Sequence, residues 1–423
     1  MCAVAADGPI SSASMRSRPA VAARLSYLAF FAAIGASFPY FGVFYQERGL
    51  DLGQIGLMTA LGAAAGLVAA PVWGAMADRF AGSPFVISVA ATVTAVGAVG
   101  LVLVDGIGPM IVALAILSVA LAGIAPILDA RALETVGSDR NRYGRIRAWG
   151  SAAFIVTVFV TGAVIERAGA PSMFVIYVAA LLALAVVSIP LRGGRSSVTL
   201  PRLSGIGVVL RHRPIARLLP AVLLVWSAAT SINWYFSIHL LTLGAPGELV
   251  GSAWAIGALV EIPILSAYPW LAARVGWSRL FLFGAAAFAL RVIVLAMVTD
   301  PVAAAATMAL HGVAFALVLV GGVTYVSRHA PEATAATAQG ILSATVVSVA
   351  MIIGPGVGSW VAENFGVPAL FGVGIAASVA GVPALWLAIR RDPLEAPAGG
   401  GEPTLAAPLE GSPSGSADAE AGR

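Results

Sequence analysis

The chain contains no lysine, one cysteine and four histidines, and only 10% of its 423 residues are charged. Each shortage excludes something. A soluble chain of this length carries about 25% charged residues. Too few charges are present to coat a water-facing surface, so lipid must cover much of the protein. All 24 basic side chains are arginine. They punctuate apolar runs instead of clustering on one polar face, which argues against a nucleic-acid partner. The single Cys2 allows no intrachain disulfide and no cysteine-rich metal site. The histidines form no HxxxH or HExxH pattern and there is no GxSxG, so neither a zinc motif nor a nucleophile elbow is present. The expectation is a membrane protein that is not an enzyme and needs no cofactor or metal.

What is abundant is long hydrophobic sequence, 59% of the chain. A spanning helix needs about 20 mostly apolar residues. Twelve runs qualify: 24–45, 53–77, 84–104, 109–133, 145–167, 171–191, 217–242, 249–273, 279–299, 302–326, 336–361 and 367–389. The expected class is therefore all-α, with two bundles of six helices at 24–191 and 217–390. Between them, 192–216 reads as a basic linker with Arg192, Arg195, Arg202, Arg211 and Arg213. Residues 1–23 read as a polar tail; the run that follows is as long as a span and precedes further spans, unlike a signal peptide. The Pro-, Gly- and Ser-rich 391–423 reads as a disordered tail. Arginine sets the orientation. With the N-terminus inside, the outer loops hold only Arg48 and Arg167, Arg291 falls in a span and Arg423 ends the tail. The other 20 arginines lie in or beside inner segments, which argues for twelve spans, cytoplasmic termini and a plasma or inner membrane.

Charges inside spans carry the functional signal, because each costs roughly 2.5–3.5 kcal/mol to insert and needs a partner or a wet cavity. The stretch Leu128 to Phe154 holds two of them, Asp129 ending one span and Arg147 beginning the next. They either sit at headgroup level, with Arg147 snorkelling, or form a pair that opens onto a substrate. Glu261, Arg291 and His311 lie at mid-depth in three successive spans. A carboxyl there can load a proton from one side and release it when a cation approaches. An acid, a permanent cation and an imidazole together make either a proton switch or a static network. In the seventh span Asn233 and Trp234 can line a cavity or join an interfacial belt, and Tyr27, Phe31, Phe38 and Tyr40 in the first face the same choice. Gln339 is a further candidate. The GxxxG step Gly62–Gly66 and the cluster Gly354, Pro355, Gly356, Gly358 read as close packing or kinks.

Several of these stretches also match a known family in order. GASFPYFGVFYQERGLDLGQIGLM (Gly35 to Met58), PVWGAMADRF (Pro71 to Phe80), the set Asp129, Tyr143, Gly144, Arg147, Trp149 and Gly150, then GALVEIPIL, ALRVIVLAM and ALHGVAFALVLVGGVTYVSRHA (Ala309 to Ala330) resemble the major facilitator superfamily. The resemblance is to its branch of lactose and phenylpropionate permeases. It implies proton-coupled symport, with Gly74, Asp78 and Arg79 as a gating loop and Phe154 as the aromatic facing the substrate. Where lactose permease has an acid one turn after its helix-10 histidine, this chain has Ala314, so galactoside specificity is not implied.

The expected function is a proton symporter working by alternating access, with no cofactor beyond the proton gradient, probed by small solutes and protons, and embedded in the bilayer as a monomer. Asp129, Arg147, Arg291, Phe154, Asn233, Trp234 and Tyr27 would bind substrate; Glu261, His311 and Arg291 would couple the proton. A permanent cation with aromatics favours a small organic acid; Asp, Arg, Glu and Asn together also suit sugar or nucleoside hydroxyls. Drug-efflux antiporters carry a Gly-Pro motif in helix 5, absent here. A transport-like receptor is the remaining alternative.

Overall fold

The computed structural model describes residues 18–80, 83–136, 140–191 and 203–390. Twelve helices in it are long and apolar enough to cross a membrane: α1 (Arg18–Ser37), α2 (Leu52–Met76), α3 (Val86–Leu103), α4 (Ile107–Thr135), α5 (Tyr143–Ala168), α6 (Ala170–Val187), α7 (Arg213–Thr242), α8 (Gly247–Val275), α9 (Trp277–Met297), α10 (Pro301–His329), α11 (Glu332–Phe365) and α12 (Val367–Ile389). No strand occurs among the described residues. In hydrocarbon each backbone amide must find its partner within its own segment, and an apolar run of this length meets that demand only as a helix. Polar residues mark the starts. Asp51 and Gln54 form a capping box at α2, and Asp300 caps α10.

Two expected boundaries differ. The first span starts at Arg18 rather than 24, and stops at Ser37 rather than 45. Pro39 has no amide hydrogen to continue the ladder; the chain turns there and resumes as a short helix, Phe41–Glu47. In the expected linker, Leu203–Arg211 is helical and α7 already begins at Arg213. Residues 192–202 lie outside the described set, as do 1–17 and 391–423.

The helices form two six-membered bundles. In the first, α1 packs on α4, α5 and α6, α3 on α4 and α6, and α2 on α4. In the second, α7 packs on α11 and α12, α9 on α10 and α12, and α8 on α10. Two pairs of spans join the halves most extensively, α5 with α8 and α2 with α11, and the short helix Phe41–Glu47 also touches α7. Small residues allow these approaches. Gly62 and Gly66 lie against Ser118 and Ala122 of α4, and Gly354 and Gly358 against Ser227, Thr230 and Ser231 of α7. The glycines of α11 therefore serve packing; that helix opens with a 3-10 turn at Glu332–Thr334 and carries a π-helical turn at Thr345–Val349.

The side-chain and close backbone contacts between the halves sit at one end. Phe38 meets the rings of Trp234 and Trp254 at 5.9 and 5.5 Å. The Tyr235 hydroxyl donates to the Leu52 carbonyl oxygen at 3.2 Å. Gly56 faces Ser359, and Gly162 faces Gly247. All of these lie on the side away from Arg18 and Ile389. The halves are joined from that far end to about mid-membrane, where α2 meets the π-helical turn of α11; nearer the tails the described residues show no comparable side-chain contact, and the space between the halves there is the cleft.

Candidate functional site

Asp129 lies near the end of α4, and its Oδ1 gathers three donors. The Tyr27 hydroxyl of α1 bonds to it closely, the Tyr143 hydroxyl donates at 3.0 Å, and Arg147 Nη1 approaches at 3.4 Å. Among the described residues nothing donates to Oδ2. The expected pair is therefore present, as a long and partly wet one, with 38% of the Asp129 side chain and 50% of the Arg147 side chain exposed. Tyr27 is 1% exposed and stacks on Phe31 with centroids 6.2 Å apart. Arg147 stands 5.8 Å over the same Phe31 ring. Gly150 permits this, because a Cβ there would come within 2.6 Å of Phe31. Two tyrosines fix the carboxylate while Arg147 keeps a solvated, loosely tethered head.

On α8, in the other half, Glu261 is partly buried and lies within electrostatic reach of Arg147, without a direct ion pair between them. One acid–base–acid array thus spans both halves. The expected grouping of Glu261 with Arg291 and His311 divides in two. Arg291 is 0% exposed and has no carboxylate partner among the described residues. Its Nη1 donates to Asn233 Oδ1 at 2.6 Å, its Nη2 to the Met308 sulfur at 3.2 Å, and its guanidinium lies 5.1 Å from the centre of the Phe236 ring. Asn233 Nδ2 stands 3.5 Å from His311 Nδ1, and His311 is enclosed by Trp254, Phe288 and Phe315. The Gly257 side of α8 packs on Met308 and His311. Glu261, one turn on, lies along the same side of α8, where its backbone amide packs against Gly312 of α10.

The remaining expected residues are placed as follows. Trp234 lies at the closed end against Phe38, and its indole nitrogen has no hydrogen-bond partner among the described residues. Phe154 is partly buried where its backbone touches Gly35 of α1. Tyr235 is 4% exposed at the seam, and His239 lies 5.0 Å from the Phe371 ring. Gln339 bonds the Val323 carbonyl oxygen and the Ser327 hydroxyl on α10. Gly74 and the exposed Arg79 belong to the last turns of the helix Leu52–Arg79, and the Asp78 side chain lies outside the described set.

Sequence reasoning gave Phe31 only the choice between cavity and belt, gave Tyr143 no role beyond the motif around Arg147, and missed Arg131. Arg131 is 4% exposed and donates to the carbonyl oxygens of Leu191 and Ser83 at 2.7 and 2.8 Å, pinning three helix ends together. An apolar groove of about 650 Å³ between α2 and α4, lined by Leu61, Val68, Val72 and Leu114, shares no residue with the polar array. No group of His, Cys, Asp and Glu among the described residues is arranged to hold a metal.

Comparison with known proteins decides the family. A model of the MFS_1 like family matches residues 22–373. The chain belongs to that family. It is a multi-pass major facilitator transporter, not an enzyme. It is similar to a maltose permease of Geobacillus stearothermophilus, 29% identical over 343 residues, which cover 79% of this chain and 84% of that one. It is also similar to the uncharacterized transporter YwbF of Bacillus subtilis (strain 168), 23% identical with 79% and 82% covered. Among solved structures, the nucleoside transporter NupG superposes with a TM-score of 0.77 at 18% identity, over 88% of this chain and 98% of that one. A POT family transporter superposes with a TM-score of 0.69 at 12% identity. Both show the same fold.

Proposed function

We propose that this transporter carries a neutral, hydroxyl-rich solute, a sugar or a nucleoside, in symport with a proton. The observation behind this reading is the half-solvated pair of Asp129 and Arg147, with Glu261 of the other half within electrostatic reach of Arg147. A hydroxyl both donates and accepts. Asp129 Oδ2 can accept from one, Arg147 can donate to its neighbour, and the Phe31 face can pack on a ring. The expectation of an organic acid leaned on Arg291, which the fold encloses among Asn233, Met308 and Phe236. That leaves two acids and one base in the cleft, a poor setting for an anion. The names of the relatives, a maltose permease and a nucleoside transporter, support the same class.

In this reading Glu261 carries the proton, since it is only partly buried and within electrostatic reach of Arg147, while His311 is ringed by aromatics. Arg291, Asn233 and His311 brace α7, α9 and α10 behind it. Solute bridging Asp129 and Arg147 to a protonated Glu261 leaves few bare charges in the cleft. Closing the halves around it then costs less than closing around an empty site, and that difference is the coupling. Gly74, Asp78 and Arg79 act at the open end as the gating loop. The tails are cytoplasmic, from the arginine asymmetry, and the monomer is the transporting unit.

The test is uptake into proteoliposomes with an imposed proton gradient, using labelled maltose, a nucleoside and an aromatic carboxylate. Gradient-driven accumulation of one of the first two is expected, and Glu261→Gln should abolish it while preserving counterflow. Accumulation of the carboxylate alone would reverse the substrate assignment. Full accumulation by Glu261→Gln would remove Glu261 as the proton carrier.

A further inference from the structure

Six helices begin at the closed end: α2, α4, α6, α8, α10 and α12. The first turn of a helix leaves amide hydrogens without partners inside the helix, so each start has to find a cap. Asp51 and Asp300 cap their own helices. Glu47 accepts from the Ala170 amide at the start of α6 with both oxygens, at 3.0 and 2.9 Å, from within the same half. Helix α8 follows Pro246, which gives no side-chain cap. Its first amide, on Gly247, donates instead to Oε2 of Glu166. Glu166 lies in the last turn of α5, in the other half. The cap of α8 therefore reaches across the seam that has to part if the halves rock.

The backbones around it are close enough for a short carboxylate to reach. A Cβ on Gly251 would stand 2.6 Å from the Val158 carbonyl oxygen, and one on Gly247 would stand 2.6 Å from that of Gly162 and 3.2 Å from Glu166 Oε2. The neighbouring ion pair, Arg167 with Glu248 at 3.6 Å, has side chains 76% and 48% exposed. Solvated pairs of this kind hold little. The Tyr40 hydroxyl donates to the Val158 carbonyl oxygen at 2.6 Å beside the same seam, within the first half.

We propose that Glu166 is the latch of the α5–α8 seam: a positioning residue whose carboxylate, by capping α8 in trans, favours the state closed at the far end. The proposal rests on the alternating-access reading given above. Each opening of the closed end must strip α8 of this cap, and each closing restores it.

The test places spin labels at Gly108→Cys and Val302→Cys in a Cys2→Ser chain and measures their separation in lipid nanodiscs. Position 108 has open space around its Cβ, position 302 is exposed, and both lie at the closed end, one in each half. Glu166→Ala should raise the ratio of long to short separations about fivefold, the factor expected from one helix cap. Glu166→Gln keeps an acceptor oxygen without the charge and should fall between, while Arg167→Ala should match the parent. A Glu166→Ala distribution superimposed on the parent's overturns the latch; if the alanine variant does not reach the membrane, Glu166→Gln decides by the same comparison. Parent samples with and without maltose separate the two possible failures. Movement of the parent with maltose, but no effect of Glu166→Ala, refutes the latch alone; no movement in any sample refutes the rocking halves and the latch together.

Discussion

Asp129→Asn changes one atom at the centre of the array, and the geometry says what should follow. Three donors converge on Oδ1 of Asp129 and none of the described residues reaches Oδ2. An asparagine can keep its oxygen in the Oδ1 position, accepting from Tyr27 and Tyr143. Its amide group then replaces Oδ2, so a cleft-facing acceptor becomes a donor. The fold should barely notice, because the lost ion pair with Arg147 is long and half-solvated, and such pairs contribute about 0–1 kcal/mol. Solute binding should suffer much more. A hydrogen bond to a charged group contributes about 1.5–3 kcal/mol, equivalent to a roughly 10- to 150-fold loss of affinity. The assay is equilibrium binding of the transported solute to purified protein, alongside thermal unfolding of the same samples. The expected result is an affinity lowered within that range with a nearly unchanged unfolding temperature. Unchanged affinity would refute the assignment of Asp129 as a solute ligand. A large drop in unfolding temperature would instead show that the carboxylate mainly braces Tyr27 and Tyr143.

Other substitutions probe the surroundings. Asn233→Ala leaves the Arg291 guanidinium buried without its oxygen acceptor and should lower stability by about 1–3 kcal/mol; adding Arg291→Met to that variant should recover part of the loss, since the uncompensated charge goes too, as read by thermal unfolding. Gly150→Val puts carbon against the Phe31 ring that supports Arg147 and should weaken solute binding several-fold without affecting proton leak; binding at parental affinity would separate Phe31 from the site. Arg131→Gln gives up charge-assisted bonds to two carbonyl oxygens at the ends of helices and should cost about 2–3 kcal/mol of stability with binding unchanged in the folded fraction.

How much of this was legible in the sequence follows from the physics of apolar helices. Depth along the membrane normal can be read from the sequence, because the position of a charge within an apolar run gives its distance from the ends. The twelve spans and the meeting of Asp129 with Arg147 follow from that reading. Direction around the helix axis cannot be read in the same way. A span that is apolar on every side has no polar face to reveal which way a given residue points. Glu261, Arg291 and His311 were therefore grouped into one cluster by depth alone, although Arg291 and His311 share Asn233 while the charge within reach of Glu261 is Arg147. Tyr27 and Tyr143 reached the same carboxylate from sites 102 and 14 residues away, with nothing to distinguish them from belt tyrosines. What fixes direction is close packing at small residues. A Cβ on Gly312 would lie 3.1 Å from the Glu261 amide nitrogen, and one on Gly257 would lie 3.6 Å from the His311 ring. These two glycines, GALVE on α8 and HG on α10, let the two helices approach closely and bring the His311 ring against the α8 backbone one turn from Glu261. In this family of folds the charges of a transport site are announced by side chains, but their aim is set by the glycines beside them.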